Sequence, residues 1–513
     1  LAAATTTQIT STPAELNILD GVTTTAAEIN VLDPSLKENN SIWIGSDPSS
    51  TTDTASSSVA IGVGALDAIT TGDNNVAVGL DALTANTTAS NNVAVGKSAL
   101  AATTTGEYNT TIGYQSGLAN TTGQNNTFLG DRSGYANTTA TANTFVGSVA
   151  GYANTTGTAN VALGYQALKA NTTASNNTAV GYDALIANTT GTQNTAVGKD
   201  ALKTNTDQTG HTAVGYQALE ENTTGYDNTA IGDRSLNENT TGYRQVAVGR
   251  VALKANTTGN HNTAVGDAAL TANTTGSSNT GVGRGVLIAA TTADNNTAVG
   301  YLALTANTTA SNNVAVGYAA LSANTTGAEN IAIGKGALDA NTTADSNVGV
   351  GNNALGANTT GASNVAVGAA ALDANTTASN NTAVGTSALG ANTTGAENVA
   401  VGSYSLDANT TASDNTAIGY HSMGSNTTGA NNTAVGNSAL FTNTTTSNNT
   451  ALGFQALYTN AADNNSALGH NALFNNTTGA GNVAIGKSAM ENNTTGGYSI
   501  AIGYQALDAN TTE

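Results

Sequence analysis

The stretch TAVGYQALEENTTGYDNTAIG, residues 212–232, decides the fold because the chain repeats it with small changes along most of its length. We number each repeat from the glycine of Ala-Val-Gly, the coil glycine, as position 0. This glycine recurs every 17 residues from Gly45 to Gly453, once after 16 residues at Gly469, and twice more after 17. The 28 repeats share a short fixed period, which is the signature of a solenoid.

Aliphatic residues hold fixed places in the repeat. Position −1 is Val, Ile or Leu in every repeat, and position +4 is Leu in 22 repeats, with Met423 and Met490 as close substitutes. Asn-Thr-Thr follows at about position +7. Disordered segments lack aliphatic residues placed so regularly, so the repeat indicates a folded structure.

Seventeen residues are too few for a helical hairpin but suit one coil of a parallel β-solenoid or β-roll. We predict a first strand at Asn-Thr-Ala-Val-Gly, a second at the Ala-Leu segment, and a turn at the Asn-Thr-Thr segment. With coils about 4.8 Å apart, 28 coils make a rod of about 130 Å. All three prolines, Pro13, Pro34 and Pro48, precede residue 49, which fits strands paired on both sides. We therefore predict an all-β repeat domain over 41–513.

Two irregularities carry further predictions. The single 16-residue step shortens a turn to YTNAADNN, which a surface turn absorbs without changing the strands. In three neighbouring coils, Gly117, Gly134 and Gly151 replace Leu at +4, while Phe128 and Phe145 replace Ala at −2. Positions −2 and +4 should therefore share one packed layer, within a coil or between adjacent coils, and position +5 should point outward.

Residues 1–40 lack the 17-residue repeat, and we predict that they form a shaft segment. TPAELNILDG and TAAEINVLDP are related copies, and Thr12 with Glu15, like Thr25 with Glu28, has capping-box spacing. We expect two short helical turns, which need partner chains to be stable. The only tryptophan, Trp43, should close the end of the solenoid core.

Both faces of the Ala-Val-Gly strand look covered, since −1 is aliphatic and −2 is usually Ala beside the coil glycine. Small residues on the second face would let another chain approach closely. We therefore expect a homotrimer with a shared axial core, and a monomeric solenoid is the alternative. Because the chain begins at Leu1 and stops at Glu513 within a repeat, we also expect it to be part of a longer polypeptide.

The composition argues against nucleic-acid binding, membrane insertion and cysteine chemistry. Only 9 % of residues are charged, yet the net charge is −20, which argues against nucleic acid as a partner. No run of about 18 apolar residues is present, so we expect no membrane insertion. The chain has no cysteine, which removes disulfides, thiolate metal sites and cysteine nucleophiles.

Four motifs could carry chemistry, and each has a simpler explanation in the repeat. The string Gly481–Ser488 matches a phosphate-binding P-loop, but the repeat generates it, and Lys487 and Ser488 stand at variable positions. Asp–Asn turns such as Asp294-Asn295-Asn296 and Asp414-Asn415 offer oxygen ligands for Ca²⁺, although stacked asparagines explain them better. Asn-Thr-Thr is also a glycan acceptor sequence. Four histidines lie in well-separated coils and should be surface residues: His211, His261, His421 and His470. We predict no catalytic, cofactor-binding or metal-binding residue.

The repeat N-x-A-[VI]-G-x-x-A-L-x-[AS]-N-T-T-G resembles repeats in the tail or surface fibres of phages and large viruses. Its core, as in Val76–Gly79 and Ile331–Gly334, is similar to the head repeats of trimeric autotransporter adhesins, which are trimers of left-handed parallel β-rolls with a shorter unit. The phrase at Thr12–Gly21 resembles the shaft of marine phage fibres. Neither resemblance implies an active site.

These resemblances imply a non-enzymatic virion fibre on the virion surface or outside the cell, acting as a stiff spacer in host attachment. Its partners would be its own copies, a virion attachment protein on the N-terminal side, and a host receptor or glycan at a distal end outside this chain. The alternatives are a bacterial cell-surface trimeric adhesin and, less favoured, a solenoid-scaffold polysaccharide-degrading enzyme.

Overall fold

The computed structural model describes residues 37–38, 40–45 and 54–512, and none of these is helical. Contacts divide the chain into two compact units, Leu1–Gln217 (unit 1) and Ala218–Glu513 (unit 2). The helical turns predicted at residues 12–33 lie outside the described residues.

Unit 1 contains twelve described strands. Their bounds are β1 Lys37–Glu38, β2 Ser41–Gly45, β3 Val59–Gly62, β4 Val76–Val78, β5 Val93–Val95, β6 Thr110–Ile112, β7 Thr127–Leu129, β8 Thr144–Val146, β9 Val161–Leu163, β10 Thr178–Val180, β11 Thr195–Val197 and β12 Thr212–Val214.

Unit 2 contains seventeen described strands, all three residues long. Their bounds are β13 Thr229–Ile231, β14 Val246–Val248, β15 Thr263–Val265, β16 Thr280–Val282, β17 Thr297–Val299, β18 Val314–Val316, β19 Ile331–Ile333, β20 Val348–Val350, β21 Val365–Val367, β22 Thr382–Val384, β23 Val399–Val401, β24 Thr416–Ile418, β25 Thr433–Val435, β26 Thr450–Leu452, β27 Ser466–Leu468, β28 Val483–Ile485 and β29 Ile500–Ile502.

Within each unit, consecutive strands from β2 onward pair in parallel with equivalent residues side by side. Ala179 of β10, for example, pairs with Ala196 of β11. Among the strands that the structure describes, only β1 runs antiparallel, against β2. The predicted parallel β-solenoid is therefore confirmed, with about 27 coils of 17 residues.

Each coil within residues 54–512 has one strand, so the prediction of a second strand at the Ala-Leu segment is wrong. This segment is a turn in which the residues at +2 and +4 adopt the left-handed conformation; in one coil these are Asp81, with φ of 57°, and Leu83, with φ of 52°. Backbone bonds still join this turn to the next coil, since the Leu83 N–H donates to the Ala99 carbonyl over 3.0 Å. A left-handed conformation costs a non-glycine residue about 1–2 kcal/mol of free energy. Burial of the leucine side chain offsets this cost, and so do the backbone hydrogen bonds between coils.

The strand faces differ from the sequence-based expectation. The middle residue at −2 is buried inside the coil in every strand from β3 to β29, whereas −1 and −3 are half-buried or exposed. Leu163 at −1 is 47 % exposed and Ile333 is 41 % exposed. The small residue therefore faces the chain's own interior, and the aliphatic residue, not the alanine, points outward.

The odd coils show how the interior is filled. Phe128 and Phe145 are completely buried and stack with ring centroids 5.2 Å apart. A Cβ on Gly134, in the same coil, would lie 2.8 Å from the Phe128 ring, and a Cβ on Gly117, in the preceding coil, 3.0 Å from it. The shared layer of −2 and +4 is thus confirmed, and it forms both within a coil and between coils.

A second compensating pair lies in unit 2. Gly281 occupies −2 where Ala is usual, and Val286 occupies +3 where Ala is usual. A Cβ on Gly281 would come within 2.9 Å of both the Val286 and the Leu270 side chains. Position +3 therefore belongs to the same layer, and Leu at +4 packs against −2 of the following coil.

The coil glycine is required by backbone geometry and by contact between coils. Gly79 has φ of +134°, which an L side chain rarely adopts, and a Cβ there would lie 2.6 Å from the Gly96 carbonyl oxygen. Stacked glycines thus let successive coils approach to strand spacing, which explains their place at the end of each strand.

The 16-residue coil loses its residue in the surface turn, as predicted. Thr450 still pairs with Ser466 and Ala451 with Ala467, so the strand register is unchanged. At the other end of the described solenoid, Trp43 is 3 % exposed within the core, in the place expected for a residue that closes it.

Candidate interaction surface

Two ladders of stacked asparagines run through the interior, one at −4 and one at +7. Where these positions are Asn, the described side chains up to Asn493 are at most 1 % exposed. At −4, the Asn92 N–H donates to Asn75 Oδ1, and Asn92 Nδ2 donates to the Gly106 carbonyl, each over 3.0 Å. At such a position the Asn therefore joins its coil to the preceding coil and to its own turn.

The ladders account for the turns considered as calcium sites. Asn296 belongs to the −4 ladder, and Asp294 Oδ1 accepts from the Ser277 N–H over 2.7 Å. Asn415 likewise donates its N–H to Asn398 Oδ1 over 3.0 Å. Within residues 54–512, no group of three or more His, Asp or Glu side chains is arranged to hold a metal.

The outward side chains at −3 and −1 form a continuous apolar stripe along the sheet of each unit. The stripe consists of Val, Ile and Leu at −1 and of Val, Ile, Thr or Ser at −3. In unit 2 it follows seventeen strands, a distance of about 75 Å at the usual strand spacing. The row at −1 is aliphatic in every strand, whereas nine of the seventeen strands of unit 2 carry Thr or Ser at −3. A long exposed apolar row of this kind is typical of an interaction surface.

A row of tyrosines and cations follows the stripe at position +1. In unit 1, Tyr165 and Tyr182 stack with centroids 5.3 Å apart, and Lys199 Nζ lies 5.7 Å from the Tyr182 ring and 5.6 Å from the Tyr216 ring. These tyrosines are 42–48 % exposed. The row thus combines aromatic and cationic groups of the kind enriched at protein interfaces.

The same row in unit 2 begins with an ion-pair ladder. Asp267 lies 2.9 Å from Arg250 and 3.6 Å from Arg284, and Arg284 donates to the Tyr301 hydroxyl over 3.3 Å. Tyr301 then stacks on Tyr318. This tyrosine–cation row was not predicted from the sequence, although the recurrence of Tyr at 17-residue spacing could have shown it.

Aromatic residues at +5 stack on their neighbours. Tyr135 and Tyr152 are half-buried with centroids 4.9 Å apart, and Phe441, Tyr458 and Phe474 form a three-ring stack. Stacking covers one face of Tyr135 and one face of Tyr152, and both faces of the middle ring Tyr458.

Three aspartates at +5 alternate with glycines in unit 2. Asp339, Asp373 and Asp407 occur in every second coil. Desolvation raises the pKa of all three carboxyl groups; nearby Asp373 adds to the effect at Asp339, whereas nearby His421 opposes it at Asp407. Their negative charge is therefore disfavoured in the folded chain.

The remaining predicted motifs are spread over different coils. Across the P-loop string, the Gly486 N–H donates to the Leu468 carbonyl and the Ser488 N–H to the His470 carbonyl. These amides are used in coil stacking, and no helix follows them. His211 is 1 % exposed at a −4 ladder position, so the expectation that all four histidines lie at the surface is wrong.

Among the described residues, no helix has the length and hydrophobicity to cross a bilayer. The chain matches no model of a known protein family and shows no significant similarity to a curated protein.

Proposed function

We propose that this protein is a structural fibre of a virus or phage, located on the virion surface, which acts as a stiff spacer in host attachment. The observation that carries the proposal is the apolar stripe, since coils stacked by backbone bonds leave a long hydrophobic face outside. We propose that this face is covered by copies of the same chain in a homotrimer. Contact with other copies would remove the aliphatic side chains at −1 from water along the whole length of the stripe, which favours association.

The test is the mass of the assembled protein in solution. We expect the wild-type chain to sediment as a trimer, and the double variant V384K/I418K, with two charges on the stripe, to sediment as a monomer. The matched control, T377K/T411K, adds the same charges to exposed threonines in the Asn-Thr-Thr turns and should remain trimeric. A folded wild-type monomer, or equal effects of both variants, would contradict the proposed interface.

The viral assignment needs a separate test, because a bacterial trimeric adhesin would use the same stripe. An antibody against the chain should label purified virus particles rather than the envelope of an uninfected bacterium. Labelling of the envelope alone would favour the adhesin.

We also propose that the role is structural rather than enzymatic, because candidate groups are distributed one per coil. Saturable ATP binding that is lost in Lys487→Ala would overturn this part. Degradation of a polysaccharide by the purified protein would favour the solenoid-scaffold enzyme.

A further inference from the structure

Most glycan acceptor sequences of this chain fall into two structurally different classes, and four others lie outside both: Asn39, Asn109, Asn475 and Asn492. The ladder class consists of asparagines at +7 followed by Thr at +9, as in Asn137-Thr138-Thr139. The surface class consists of asparagines at −5 followed by Asn and then Thr or Ser. Its members are exposed: Asn125, Asn176, Asn295, Asn380, Asn431, Asn448 and Asn464.

The ladder class has no room for a sugar. Asn137 Nδ2 donates to Asn120 Oδ1 over 2.9 Å and to the Ala140 carbonyl over 3.2 Å, which occupies both amide hydrogens. Its Oδ1 accepts from Asn154 Nδ2 over 2.9 Å, and the residue is completely buried. A glycan on this nitrogen would replace a hydrogen that the fold uses and would place a sugar between packed coils.

The ladder asparagine is present even where the acceptor sequence is lost. Asn205 is followed by Thr206-Asp207, and Asn460 by Ala461-Ala462, so neither is an acceptor. Asn205 Nδ2 nevertheless donates to Asn188 Oδ1 over 3.1 Å, and Asn460 Oδ1 accepts from Asn476 Nδ2 over 2.8 Å. The recurring Asn at +7 is therefore explained by coil stacking, not by glycan attachment.

We propose that N-glycosylation of the +7 asparagines and formation of the coils exclude each other, whereas the −5 asparagines accept a glycan in the folded chain. The reaction joins the side-chain nitrogen to the first sugar of a lipid-pyrophosphate-linked oligosaccharide; the nitrogen loses a proton and the lipid pyrophosphate leaves. The protein therefore folds only where the ladder asparagines escape this transfer. The inference does not depend on trimer formation.

The structure supplies matched variants for a test. The hydroxyl residue of the ladder acceptors, Thr at +9, is exposed in coils such as those of Thr122 and Thr139. Replacing every such Thr with Ala removes the ladder acceptors and leaves the buried asparagines unchanged. All chains in the experiment, including the one called wild type, also carry N39Q, T111A, N475A and N492A, which remove the four acceptors outside the two classes; Ala is the usual residue at −2 and +6. Replacing Thr or Ser at −3 with Val removes the surface acceptors instead, and Val already occupies −3 in many coils.

Wild type and both variants should be made in the bacterial cytoplasm without oligosaccharyl transferase, where all should fold, and then secreted from a glycosylating eukaryotic cell. Limited proteolysis separates folded from unfolded chains, and mass spectrometry locates the glycans. We expect secreted wild type and the −3 variant to be protease-sensitive with glycans at +7. The +9 variant should be protease-resistant with glycans at −5.

Two results would overturn the inference. Protease-resistant wild-type chains that carry glycans at +7 would show that the ladder tolerates the sugar. Chains of the +9 variant that are glycosylated only at −5 and are still protease-sensitive would show that the folded chain does not tolerate a glycan on the surface class.

Discussion

At the residue scale, the interior of each coil is filled by the side chains at −2, +3 and +4, and a larger side chain at one position is matched by a smaller one at another. Alanine at −2 and +3 with leucine at +4 is the common solution, and the Phe–Gly coils and the Gly281–Val286 pair are two others. Glycine at +4 has a second effect, since Gly117 adopts φ of +61° at a position where leucine is left-handed. The exchange therefore makes space and also relieves backbone strain.

Phe128→Ala should create a cavity and destabilise the chain by about 3–5 kcal/mol. Because solenoid coils mainly contact their neighbours, hydrogen exchange should accelerate mostly in the coils around Gly113, Gly130 and Gly147. The double variant F128A/G117L restores the common Ala–Leu pair and should recover most of the protection. Uniform acceleration along the chain, or no recovery, would contradict the shared layer.

Burial of Asp373 should make stability depend on pH. Desolvation raises the folded-state pKa of Asp373 above the ordinary 3.8, which favours the protonated carboxyl group in the folded chain. The stabilising contribution of Asp373 is therefore fully present below pH 3.8 and is lost as pH rises through the folded-state pKa. Asp373→Asn should therefore raise the urea midpoint at neutral pH and leave it unchanged at acid pH. The control, Asp414→Asn, removes an exposed charge. An equal gain from both variants would assign the effect to net charge instead.

The period, the parallel pairing and the packed layer were predictable at the residue scale because they follow from spacing and volume. The left-handed leucines were not, because leucine rarely adopts that conformation and its sequence context suggested a strand. His211 was misjudged for a similar reason, since its ladder position was visible only once Asn at −4 was known to point inward.

At the element scale, the strands are short and the turns contribute much of the structure. Three-residue strands give few backbone bonds, and the ladder at −4 and the bonds around Leu at +4 extend pairing around the coil. The orientation of the strand was the main error from sequence, because alternation alone does not say which of two apolar faces is inside.

Deletion of Thr360 tests the different tolerance of turn and strand. It removes an exposed threonine from the turn that follows the buried Asn358, in the manner of the natural 16-residue coil, and should lower the thermal midpoint only slightly. Deletion of Ala366, in β21, would turn the interior residue outward and should disrupt the neighbouring coils. Thermal unfolding followed by circular dichroism distinguishes these outcomes. A similar decrease of the thermal midpoint in both variants would contradict the greater tolerance of the turn.

At the scale of the whole molecule, net charge opposes the proposed association. Each chain carries −20, so a homotrimer brings together three strongly acidic chains, whereas the apolar stripe favours contact. Raising ionic strength from about 10 mM to about 150 mM shortens the screening length from about 30 Å to about 8 Å. Sedimentation should therefore show a larger trimer fraction at higher salt. Dissociation by salt would instead indicate an interface held by charges, such as the tyrosine–cation row.

Equivalent coils make the number of repeats adjustable. Most coils in a unit meet their neighbours through the same layer, ladders and stacked glycines, so inserting or removing one 17-residue segment of the common type creates no new kind of contact. Unequal recombination between the near-identical gene segments would change a unit's length by one strand spacing while leaving the fold intact. Reach could thus evolve in small, structurally neutral steps, independently of whatever the chain displays at its surface.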